Sequence, residues 1–137
     1  MVETVKRPVN QVKQTKQYMT RKNQNAGPEE GDFILVAKTV NFKLESDLLT
    51  LTGTLKRLDT QGEEPDFPRV TVCVREYCVG VPNVNPLYEL LDLFDLTEES
   101  KIDLDVFKGK LIGVSVVPSV SDNGTYYNAS GFFEILQ

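Results

Sequence analysis

The feature that most constrains this chain is a side-chain alternation of period two that returns in successive segments. Across residues 48–58, Leu49, Leu51 and Leu55 alternate with Thr50, Thr52, Thr54 and Lys56. Residues 69–77 repeat the pattern, with Val70, Val72 and Val74 set between Arg69, Thr71, Cys73 and Arg75. Successive side chains of a strand point to opposite faces, so each segment has one face to bury and one to wet. Residues 33–44, 111–117 and 126–136 are also β-rich, and polar turn sequences at 45–47, 59–68 and 121–124 separate the runs. Gly53 falls on the apolar face, where a missing side chain permits sharp coiling or a bulge.

One helix signal interrupts the strands. Asn85 is a good N-cap, Pro86 suits the first helical position, and Leu87, Leu90, Leu91 and Phe94 follow helical spacing. Another turn of helix is expected around residues 102–107. The order β-β-β-α-β-β predicts an all-β fold: a five-stranded, OB-fold-like antiparallel barrel with one helix between the third and fourth strands, the helix closing one end.

Composition narrows the chemistry. The chain has 137 residues, one ordinary domain, and no histidine, which removes imidazole as a general base, triad member or metal ligand. Cys73 and Cys78 cannot make a four-thiolate zinc site, and five positions apart on a strand they point to opposite faces, so a disulfide is not expected. Cys73 has neighbours that could lower its pKa, but without a base it reads as a strand residue. Asp92, Asp95, Glu98, Glu99, Asp103 and Asp105 read as a solvated acidic face, with no phosphate-cradling glycine loop beside them. No catalytic residues, metal or other cofactor are therefore expected, and the chain does not read as an enzyme. The N-terminal residues lack the apolar core of a signal peptide and no run approaches a membrane span, so a cytoplasmic protein without membrane contact is expected. Asn123 and Asn128 match the glycosylation pattern and read as turn residues.

Charge divides the chain in two. Residues 1–26 hold six cations (Lys6, Arg7, Lys13, Lys16, Arg21 and Lys22) against Glu3, a net of +5. The rest carries nine cations against nineteen acids, a net of −10. The expected organisation is a basic N-terminal extended arm and linker over 1–31, ending in a Gly- and Pro-bearing stretch, and a barrel domain over 32–137. Val2, Val5, Val9, Val12 and Tyr18 give the arm apolar residues with which to dock on protein.

Gly31-Asp-Phe at the first strand, the Leu-rich helix, the run from Asp105 to Val116 and the run from Asn123 to Asn128 together resemble small phage-encoded OB-fold proteins of the single-stranded DNA-binding type. The resemblance covers residues 31–137. It implies a non-catalytic single-stranded nucleic-acid-binding protein of phage replication or recombination, with DNA the favoured partner and the host cytoplasm its location.

The residues offer a matching face. With the leucines and valines inward, Thr50, Thr52, Thr54, Lys56, Arg69, Thr71, Arg75 and Tyr77 share the outer face of the second and third strands, where OB-fold ligands lie. Tyr126, beside the loop between the last two strands, is a further stacking candidate. Lys56, Arg69, Arg75, Tyr77 and Tyr126 are thus the expected nucleic-acid-binding residues, cations tracking phosphates and rings stacking on bases. The alternative is a structural virion or filament assembly protein that self-associates through residues 1–31. A third reading is a phage protein whose acidic surface imitates DNA.

Overall fold

The alternating segments form five strands that close on one another. The computed structural model describes residues 27–136; of the expected arm and linker over residues 1–31, the part over 1–26 lies outside them. The strands are β1 (Gly31–Lys43), β2 (Leu48–Arg57), β3 (Phe67–Val74), β4 (Ile112–Ser121) and β5 (Gly124–Glu134). They pair in the order β1-β2-β3-β5-β4, with β4 returning to β1. A helix, α1 (Pro86–Leu93), lies between β3 and β4. This all-β barrel has OB-fold-like order. The closing pair β3–β5 is short and parallel, with Val72 opposite Tyr127, while the other four pairings are antiparallel.

The apolar half of each alternation fills the barrel. Leu35, Leu51, Leu55, Val72, Val74, Ile112 and Val114 are fully buried, and Phe33 meets Phe67 edge-on at 6.0 Å between centroids. Each such aliphatic side chain contributes about 1.5–3 kcal/mol on burial.

Bulges bend the strands enough to close. Ala37 pairs with Gly53 and Thr39 with Thr52, so Lys38 is an extra residue on β1. Between the pairs Gly53–Val70 and Leu55–Phe67, β3 also gains a residue. Phe67 and Val70 therefore both turn toward the core, while Pro68 and Arg69 face water. At Gly53 the backbones approach so closely that a Cβ would collide with the Val36 carbonyl oxygen.

The helix caps one end of the barrel. Asn85 Oδ1 accepts from the Tyr88 N–H at 3.0 Å, and Pro86 occupies the first turn. Pro86 and Leu90 are buried, with Leu87, Leu91 and Phe94 packed against the core. A short 3-10 turn, Leu104–Phe107, completes this end: Phe107 is buried and meets Phe94 edge-on at 5.0 Å. Glu89 reaches from the helix to β5, where Oε1 accepts from the Phe132 N–H at 3.2 Å. That N–H lies beside the bulge that makes Ser130 the extra residue opposite Ser115 and Val116. The carboxylate thus pins the helix to the bulged strand.

The opposite end is closed by the chain entering β1. Pro28 is buried, and Gly27 lies so near the Tyr127 hydroxyl that a Cβ there would collide with it. Glu29 makes two 2.8 Å hydrogen bonds with the Arg57 guanidinium.

Candidate nucleic-acid interface

The outer face of β2 and β3 is polar, as the alternation requires. Thr52 and Thr71 stand opposite one another and share a 2.9 Å hydroxyl–hydroxyl hydrogen bond. Carried one residue back from the Val72–Tyr127 pair, the parallel register sets Thr71 level with Tyr126. Tyr126 is exposed, whereas Tyr127 packs against the core. Thr52, Thr71 and Tyr126 consequently form a row across three strands, adjacent strands being about 4.8 Å apart. Arg69 lies two residues along β3 from Thr71, on the same face and exposed.

Three expected site residues sit differently from the expectation. β3 ends at Val74, so Arg75 and Tyr77 belong to the loop that follows, not to the strand. Continued alternation would turn Glu76 into the apolar barrel, and the Arg75 carbonyl instead accepts from the Leu87 N–H at 3.0 Å, leading the chain to α1. Both side chains remain accessible, Tyr77 at 60%. Lys56 faces outward but is tied to its own loop: its Nζ donates to the Thr60 carbonyl at 2.6 Å and to the Thr60 hydroxyl at 2.7 Å. A phosphate at Lys56 would have to compete with both acceptors.

Between the two groups of candidates the face is closed. Cys73 and Asn128 are paired across β3 and β5, and both are buried although they alternate outward. The Asn128 amide donates to the Val117 carbonyl at 3.2 Å and to the Ser119 hydroxyl at 3.0 Å, which leaves it no role as a glycosylation acceptor in the folded state. Burial pushes the Cys73 thiol up, outweighing the opposing pull of Arg75, which is the reverse of the shift that activates a thiol. Cys73 and Cys78 are free thiols. The structure therefore brings Arg69, Thr52, Thr71 and Tyr126 together and sets Arg75 and Tyr77 apart, beyond the Cys73–Asn128 line.

Sequence reasoning missed the best-defined charged cluster. Arg57 lies over the Phe67 ring at 4.9 Å, pairs with Glu29 at 2.8 Å and approaches Asp66 at 3.6 Å. Its backbone N–H also donates to Asp66 Oδ2 at 2.7 Å, and Thr60 donates to the same oxygen at 3.0 Å. The loop acids thus hold Arg57 as Thr60 holds Lys56, leaving Arg69 as the accessible cation on this part of the face among the described residues. No local signal joins Glu29 to Arg57, because 27 residues separate them.

The cluster has a pH signature. The Arg57 guanidinium holds Glu29 well below its ordinary value of 4.5, at about 2. A depressed carboxylate contributes stability above its unfolded pKa and loses it as pH falls through the folded one. Asp66 is lowered too, chiefly by the Arg57 N–H. Wild type should therefore lose melting temperature between pH 4.5 and about 2 more steeply than Glu29→Gln does. Parallel thermal scans across that window check this, and superimposable slopes would refute it. Both partners are partly solvated, so the effect is modest.

Among the described residues no group of three or more Cys, Asp or Glu is placed to hold a metal ion. None of the described helices is long and apolar enough to cross a membrane. Comparison with known proteins gives no match to a family model, a curated protein or a solved structure.

Proposed function

We propose that this protein binds single-stranded nucleic acid, without catalysis, across the outer face of β2, β3 and the start of β5. The observation that carries the reading is the row Thr52–Thr71–Tyr126 with Arg69 beside it, on an OB-fold-like barrel. Arg69 pairs with phosphate, Tyr126 stacks a base, and the threonine hydroxyls bond to the backbone. Arg75 and Tyr77 extend the contact at the far end of β3. DNA is the proposed ligand, and phage replication or recombination in the host cytoplasm the proposed setting, on the resemblance given above.

Anisotropy of a labelled oligo-dT at low salt tests the proposal. Binding should weaken as salt rises, because displaced counterions drive it. Arg69→Ala with Tyr126→Ala should lower affinity about tenfold or more, since one base–aromatic stack is worth about 1–3 kcal/mol. Arg75→Ala with Tyr77→Ala should act in the same direction, and neither pair should move the melting temperature much, all four lying outside the core. Absence of binding at tens of micromolar wild-type protein would remove the reading.

A further inference from the structure

At the helix-capped end of the barrel lies an apolar cavity of about 240 Å³. It is lined by Phe42 and Leu49 from the β1–β2 hairpin, Leu87 and Leu91 from α1, and Ile102, Leu104 and Phe107 from the connector. The lining is hydrophobic throughout, yet Phe42 stays 39% exposed, and Leu44 stands in water at the hairpin turn beside it. Apolar surface left open in this way marks a site for something to cover. The neighbours of the lining residues are acidic. Glu45 and Asp47 occupy the turn between Phe42 and Leu49, Asp92 follows Leu91, and Asp103 and Asp105 flank Leu104, all of them exposed. Lys43 and Lys101 oppose them, while Lys108 is already paired with Asp105 at 2.8 Å.

We infer that this groove is the docking site for residues 2–13 of the chain's own N-terminus. That segment has the complementary chemistry: Val2, Val5, Val9 and Val12 to fill an apolar groove, with Lys6, Arg7 and Lys13 to meet an acidic rim. It has the reach as well. Gly27 is held at the opposite end of the barrel, against Tyr127. The stretch from Val12 to Gly27 extends to about 50 Å, whereas β1 from Gly31 to Phe42 is at most about 40 Å long. Tethering decides between this segment and that of a second copy. Attachment to the same chain by a short connection that can span the two sites gives an effective concentration in the millimolar range, above any ordinary concentration of free chain. This docking does not rest on the nucleic-acid reading, since the groove is lined by none of the residues proposed to contact nucleic acid, although Arg75 adjoins it through the Leu87 N–H.

Paramagnetic relaxation in the full-length chain, with no nucleic acid present, tests the inference. Asn10→Cys would carry a nitroxide, the two native thiols being buried. Amide signals of Leu87, Leu91 and Leu104 should lose more than about half their intensity, while those of the β4–β5 turn at 121–124 keep theirs. Adding Val5→Ser, Val9→Ser and Val12→Ser should restore the lost signals, as should Phe42→Ser, with the remaining spectrum reporting that the barrel is folded. No selective loss would overturn the inference, and so would loss centred on Arg69 and Tyr126. Loss in a mixture of isotope-labelled chains with separate spin-labelled chains would assign the groove to a second copy and overturn it too.

Discussion

Val72→Asp abolishes the cooperative thermal transition at neutral pH and leaves a chain with the near-ultraviolet circular dichroism of an unfolded one. Val72 is fully buried at the middle of the barrel wall, between Leu51 of β2 and Tyr127 of β5. A carboxylate there must either ionise without a partner in an apolar interior or fold protonated with its hydrogen bonds unmet. Either route costs several kcal/mol, against a total stability of about 5–15 kcal/mol for a domain of this kind. The position also belongs to the β3–β5 pair that closes the barrel, so local relaxation would open that seam. Thr71→Asp, one residue away on the wet face, is the matched control and should cost less than about 1 kcal/mol. Equal damage from the two would mean that the faces of β3 are assigned wrongly, because a one-residue slip exchanges every side chain.

Gly53→Ala has the second-largest expected effect, despite adding only one methyl group. Its Cβ would collide with the Val36 carbonyl oxygen and stand 2.8 Å from the Ala37 Cα. Both are backbone atoms of the paired strand, and no rotamer change can move them aside. The strands must separate where the β1 bulge gives the barrel its coil, disturbing the pairs on either side. A loss of about 3 kcal/mol or more is expected, in the range of severe overpacking. Urea unfolding of the variant beside wild type measures it. A shift under about 0.5 kcal/mol would show that the strands part there without cost.

Much of the fold was legible because local rules carry it. The leucine–threonine alternation of β2 sorts inward from outward residues without reference to any other segment, and the burial along that strand follows it. Asn85-Pro86 opened the helix for an equally local reason, since both act on the backbone of their own turn. The ends of β3 were less legible. Alternation continued through Arg75 and Tyr77, but the strand stopped at Val74, where the chain had to leave for the helix and Glu76 would have faced the core. The candidate face was legible as a face and not as a site. Lys56 reads as a free cation until the loop folds Thr60 onto it, and Cys73 reads as an outward residue until the surrounding chain buries it.

The sequence alone determined which side chains are apolar on a period of two, where one helix could begin, and how ten net negative charges fall on the body and five positive ones on the first 26 residues. Those properties arise from each residue and its near neighbours. Tertiary structure alone decided the parallel closure of β3 on β5, the bidentate hold of Glu29 on Arg57, the reach of Glu89 to the Phe132 N–H, and the gathering of Phe42, Leu87 and Leu104 around one groove. Each joins residues far apart along the chain. Such contacts form only once the barrel has closed and its loop entropy has been offset by the buried core, so no window of sequence contains them.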